Sequence, residues 1–129
     1  MALIVVDASV VIALLDPADA LNPGARRALE QVAEADLAIP ASALAETLVA
    51  PARAGKLEEV RASIRALELR VAETGEEVAV EAARLRARNR SLRLPDALVL
   101  ATAEVLGADV VLTGDASWGA ISRRVRVVD

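Results

Sequence analysis

Four carboxylates stand apart from the other acidic residues of this chain: Asp7, Glu46, Asp96 and Asp115. Asp7 ends the apolar run "LIVV", and Asp96 stands directly before "ALVLA". Glu46 sits inside the apolar segment "ASALAETL", and Asp115 follows "DVVLTG". A carboxylate set against apolar sequence is costly to bury without a partner, so each raises the question of what holds it. The rest of the inventory narrows the answer. No histidine, cysteine, tyrosine or phenylalanine is present, and Lys56 is the single lysine. Imidazole general acid–base catalysis, Ser-His-Asp triads, thiolate nucleophiles and imidazole or thiolate zinc sites are therefore excluded. Carboxylates, hydroxyls, arginines and an oxygen-ligated metal remain, and all-oxygen ligation favours Mg²⁺ or Mn²⁺.

The elements that must position these acids alternate along the chain. "LIVV" reads as a buried strand, residues 37–39 as a second, "ELRVAE" as a third, "DVVLT" as a fourth and "VRVV" as a last. Helical patterns cover residues 8–16, 25–35, 43–55, 56–67, 75–90 and 95–107, with Ser42 placed to cap the third and Gly107 to end the last. Residues 17–24 read as a loop, and 114–122 as a turn with a short helix. This alternation predicts an α/β fold: a single domain over residues 1–129 with a mainly parallel central sheet flanked by helices. Sites in such sheets form outside the carboxyl ends of the strands. Asp7 and Asp115 each follow a strand, while Glu46 and Asp96 lie in the first turns of helices that start at the same edge. Four distant carboxylates are thus expected to meet, and their mutual repulsion calls for a cation.

Taken singly, each acid has a plainer explanation. Asp96 could serve only as a helix N-terminal acid, Glu46 could lie on an exposed helix face, and Asp115 could be a turn aspartate. Asp7 is harder to dismiss, between two apolar segments. Trp118, the only aromatic residue, reads as packed in the domain or against a partner, with base stacking as the alternative.

Composition bounds the setting. With 55% hydrophobic residues and a mean hydropathy of +0.42, the chain has ample material for a core. Its N-terminal apolar stretch lacks a basic flank and is interrupted by Asp7, so it reads as strand and helix rather than as a leader; a soluble, cytoplasmic protein is expected. The net charge of −4 argues against indiscriminate binding to nucleic acid. Arginines nevertheless cluster at Arg84, Arg86, Arg88, Arg90 and Arg93, and again at Arg123, Arg124 and Arg126, and such patches can steer a polyanion. Arg84, Arg88, Arg90 and Arg93 are the candidates for substrate phosphate contacts; the plainer reading is a solvated helix end complementing its dipole.

"IVVDASVVIALL", "IPASALAETL" and "LPDALVLATAEVLGADVVLTGD", in that order, resemble the PIN-domain family, and within it the VapC-type ribonuclease toxins of bacterial toxin–antitoxin pairs. The resemblance spans essentially the whole chain. It implies that Asp7, Glu46, Asp96 and Asp115 are the catalytic, metal-holding acids, with Ser9 and Thr113 supporting them by hydrogen bonds. It further implies Mg²⁺ or Mn²⁺ as cofactor, RNA as substrate, a homodimer, and a VapB-type antitoxin whose C-terminal segment occupies the site. Cleavage through one or two carboxylate-held ions would leave 5′-phosphate and 3′-hydroxyl ends. Leu44, Leu48, Val49, Leu57, Val60, Ile64 and Leu67 could bury internally or form a groove for a partner helix.

Competing readings fare worse. A phosphoacceptor receiver domain needs a lysine after a late strand, and Lys56 is misplaced for it. A haloacid-dehalogenase-like phosphatase needs a second aspartate where Ser9 stands. A PIN fold acting outside a toxin system, on RNA or DNA, or serving as a silent binding module, remains the alternative.

Overall fold

Short runs of β-branched and small apolar residues, buried without alternation, make the strands of this protein. The computed structural model describes residues 2–129. Five strands, β1 (Leu3–Val6), β2 (Asp36–Pro40), β3 (Arg70–Ala72), β4 (Val110–Thr113) and β5 (Val125–Val127), form one sheet in the order β3-β2-β1-β4-β5. Every pairing is parallel, with Ile4 opposite Leu37 and Val110, and Leu112 opposite Arg126. Consecutive burial of Ile4, Val5 and Val6 in β1, and of Val111 and Leu112 in β4, shows that both faces of the central strands are covered. Each such side chain contributes about 1.5–3 kcal/mol on burial.

Six helices supply the cover: α1 (Ala8–Leu15), α2 (Asn22–Gln31), α3 (Ala41–Arg53), α4 (Leu57–Ala66), α5 (Glu76–Arg88) and α6 (Leu94–Leu106). α6 packs against β1, β2 and β4, and α3 against β2 and β3. α3 also touches both α1 and α6, which draws three helix starts toward one end of the sheet. In α5 the first turn carries Glu76 and Glu77 and the last carries Arg86 and Arg88, complementing the helix dipole. No helix among the described residues is long and apolar enough to cross a membrane.

The α/β architecture agrees with the sequence-based expectation, and the sheet is wholly rather than mainly parallel. Three local expectations are corrected. Ser42 does not cap α3: Pro40 holds the N-cap position, Ser42 lies within the first turn, and its hydroxyl is buried without a partner. With proline at the N-cap position, no side-chain oxygen is available there to accept from the first-turn amides. α2 begins at Asn22 rather than Ala25, because Pro23 is tolerated in a first turn and the Asn22 amide donates to the Ala13 carbonyl at 2.7 Å. α2 also ends at Gln31, short of the expected residue 35.

The end of α6 depends on Gly107, at φ +64°, with the Ala108 amide closing onto the Ala103 carbonyl at 2.9 Å. After α4, Glu68 adopts the same left-handed conformation, at φ 57°, without glycine's freedom. Gly107→Ala is expected to cost about 1 kcal/mol and to lower Tm by about 4 °C. Glu68→Gly should instead raise Tm by about 1–2 °C. Thermal unfolding followed by circular dichroism checks both, and a fall in Tm for Glu68→Gly would contradict the strain assigned to that residue.

Candidate active site

Strand order reverses between β1 and β4, and ligand sites in open parallel sheets form at such a reversal, beyond the carboxyl ends of the two strands. Asp7 stands at that point. Its amide extends the pairing by donating to the Leu112 carbonyl at 2.9 Å, and its own carbonyl accepts from Val10 and Val11 to begin α1. Although Asp7 is the N-cap residue, its side chain caps nothing. Instead Oδ2 accepts the Ser9 hydroxyl at 2.8 Å and the Thr113 hydroxyl at 3.0 Å. Two donors on one oxygen lock the carboxylate plane and leave Oδ1 free of them.

The two hydroxyls are themselves held. Gly114 donates its amide to Ser9 Oγ at 3.0 Å, and Asp115 donates its amide to Thr113 Oγ1 at 3.1 Å. The chain passes so close here that a Cβ on Gly114 would lie 2.6 Å from Leu21 Cδ1. A side chain at this position would require the end of the Leu21 side chain to shift. Asp115 then accepts from the Ser117 amide at 2.9 Å and the Ser117 hydroxyl at 2.6 Å, which starts a 3-10 turn over Ala116–Ala120.

Glu46 comes from α3 and Asp96 from the first turn of α6, behind Pro95. Together with Asp7 and Asp115 they line one cleft of about 550 Å³, shared with Ser9, Arg93 and Trp118. The structure therefore brings all four predicted acids to a single place. Among the described residues, no three acids are drawn together tightly enough to form a ready-made metal site.

Their environments differ in sign. Burial pushes the Asp96 pKa up, repulsion from Asp7 pushes it further, and Arg93 pulls it back. Glu46 is raised in the same way, by partial desolvation first and then by Asp7 and Asp96, again with Arg93 opposing. Asp115 is lowered, because the Ser117 hydroxyl and amide both favour its ionised form. Asp96 is no N-cap: Arg93 occupies that position, and neither a hydroxyl nor a backbone amide contributes to holding the Asp96 charge.

The arginines separate into groups. Arg93 alone of the four candidates lines the cleft. Arg84 and Arg88 lie along α5 beside Glu81, at 3.6 and 3.9 Å, and Arg90 lies in the turn after α5, exposed and away from the cleft. In the second cluster, Arg124 bonds the Glu104 carboxylate at 3.1 Å and the Ala108 carbonyl. Sequence spacing could not single out Arg93, because its position depends on where α6 starts.

Trp118 is 1% exposed, so its ring offers no face for base stacking; it is packed within the domain. Its indole N–H completes no hydrogen bond, yet its positive end helps lower the pKa of both Asp96 and Asp115. Sequence alone offered no signal for that placement. Ile12, 41% exposed at the rim of the cleft, was equally unmarked.

No curated protein sequence matches the chain. Among the solved structures similar in fold are VapBC2 of Rickettsia felis bound to a promoter DNA fragment, a toxin–antitoxin complex of Klebsiella pneumoniae, and VapC20 of Mycobacterium tuberculosis, a sarcin–ricin-loop-cleaving toxin. Their identities to this chain are 15%, 24% and 21%, with TM-scores of 0.81, 0.78 and 0.71. The alignments cover 98%, 98% and 92% of this chain and 99%, 97% and 96% of the others. At such identities the likeness shows the fold. The PIN domain model matches residues 4–123, and with that match the chain belongs to the PIN domain family.

Proposed function

We propose that this protein is a metal-dependent endoribonuclease and the toxin of a VapBC-type toxin–antitoxin pair. The observation that carries the reading is Asp7: two hydroxyls hold one carboxylate oxygen, and the other is left toward a cleft with three more acids. The donor set suits a hard divalent cation, Mg²⁺ or Mn²⁺, held by Asp7, Asp96 and Asp115 with Glu46 directly or through water. Such an ion supplies Lewis-acid chemistry, activating water for in-line attack on a phosphodiester and offsetting negative charge on the scissile phosphate. Ser9 and Thr113 fix the Asp7 plane, Ser117 fixes Asp115, and Arg93 places a positive charge where a phosphate would enter.

RNA as substrate and an antitoxin as partner are supported by the neighbours, among them a toxin that cleaves the sarcin–ricin loop and complexes of toxin with antitoxin. The apolar residues of α3 and α4 divide accordingly. Ile64 is buried, Leu44, Leu48, Val60 and Leu67 pack partly against the core, and Val49 and Leu57 stay exposed for an antitoxin segment. A silent binding module would have its acids satisfied by arginines or by water, and the arginine form of that reading is disfavoured, since none of the four acids forms a salt bridge among the described residues. A homodimer and the cytoplasm complete the proposal.

Cleavage of RNA in Mg²⁺ should fall at least about 100-fold for Asp7→Asn, Asp96→Asn and Asp115→Asn, with folds unchanged and product ends carrying 5′-phosphate. Full cleavage in EDTA would contradict the mechanism. Ser9→Ala and Thr113→Val should each cost about 10- to 100-fold in metal affinity or activity.

The same charges predict a stability effect. A raised carboxylate pKa means that the folded, metal-free protein binds protons more readily than the unfolded chain. Stability therefore falls as pH rises from the unfolded pKa through the raised folded values of Asp96 and Glu46, while Asp115 acts with the opposite sign. Metal-free Asp96→Asn should consequently melt about 2–4 °C higher at pH 7, and the gain should vanish in acid where Asp96 is already neutral. A lower Tm at pH 7 would show instead that Asp96 is a stabilising helix acid.

A further inference from the structure

Two polar groups that line one cleft, the Trp118 indole N–H and the Asp96 carboxylate, complete no hydrogen bond in the structure, and the indole favours the ionised forms of both Asp96 and Asp115. The indole N–H of Trp118 is fully shielded and makes no hydrogen bond, although a buried indole donor almost always finds an acceptor. The Asp96 carboxylate, half-buried at the start of α6, has no hydroxyl or amide holding it, unlike Asp7 and Asp115. Trp118 lines the same cleft, on the turn that Asp115 begins. That turn is fixed by the two Ser117 bonds to Asp115 and by the Trp118 amide on the Asp115 carbonyl at 3.3 Å. The indole thus belongs to the rigid side of the cleft and Asp96 to the unrestrained side.

We propose that Trp118 is a positioning residue: its indole N–H takes one Asp96 carboxylate oxygen as acceptor and so turns the other toward a divalent cation shared with Asp7. The inference rests on the reading of the cleft as a cation site. It assigns to Trp118 for Asp96 the task that Ser9 and Thr113 perform for Asp7. Outer partners that orient a ligand in this way strengthen metal binding. The indole can do so because it is pinned by packing on every side, and phenylalanine, the nearest replacement in shape, cannot donate.

One tryptophan in the whole chain makes the test direct, since the indole gives a single Nε1–H resonance in ¹⁵N-labelled protein. Titration with Mg²⁺ is expected to move that resonance downfield and to slow its exchange with solvent in the wild type but not in Asp96→Ala. In parallel, calorimetry should find Mg²⁺ bound on the order of 10-fold more weakly by Trp118→Phe. Wild-type protein that binds no Mg²⁺ would overturn the cation reading and the proposal together. Mg²⁺ binding with an unmoved indole resonance, or with full affinity in a folded Trp118→Phe, would overturn the proposal alone. If Trp118→Phe fails to fold, the wild-type resonance decides.

Discussion

Repulsion among carboxylates at the carboxyl edge of the sheet is the constraint around which this structure is arranged. Asp7 cannot leave: its backbone both extends β1 against β4 and begins α1, so its charge is fixed where the strand order reverses. Glu46 and Asp96 are brought to the same cleft by the packing of α3 against α1 and α6, and both have raised pKa values in consequence. Nothing in folding alone rewards that convergence. The proposed cation would, by converting mutual repulsion into shared attraction.

The protein manages its charges unequally. Asp7 and Asp115 are held by hydroxyl and amide donors drawn from Ser9, Thr113 and Ser117. Those donors interlock, since the Gly114 amide bonds Ser9 and the Asp115 amide bonds Thr113. Glu46 has only the charge of Arg93 in its favour, and Asp96 has Arg93 and the Trp118 indole, with no hydroxyl or backbone amide on either. The cleft therefore has a preorganised half, on β1 and β4, and an adjustable half, on α3 and α6. On the proposed reading, such a division would let an ion and its substrate draw the adjustable acids in, since among the described residues the acids do not form a tight cluster on their own.

Much of this was legible in the sequence because it depends on local pattern. The uninterrupted apolar strands, the alternation with helices and the positions of Asp7, Asp96 and Asp115 at element boundaries follow from residue type and spacing. The resemblance to PIN domains on three motifs pointed to the same acids, and the family model matches across them. Ser42 misled because hydroxyls are common caps, whereas Pro40 holds the N-cap position. The arginine cluster could not be sorted, since residues a few positions apart end on α5 or at the cleft according to where the turn before α6 falls. Trp118 was unreadable for a deeper reason: where an indole N–H points depends on tertiary packing, and no local pattern encodes it.

The most direct measurement is a crystal structure of the metal-free protein soaked in Mn²⁺, with anomalous scattering used to locate the ion. An anomalous peak in the cleft, within coordination distance of Asp7 Oδ1 and approached by Asp96 and Asp115, is the predicted result. A cleft without a peak at saturating Mn²⁺, or Mn²⁺ bound only elsewhere on the surface, would contradict the account.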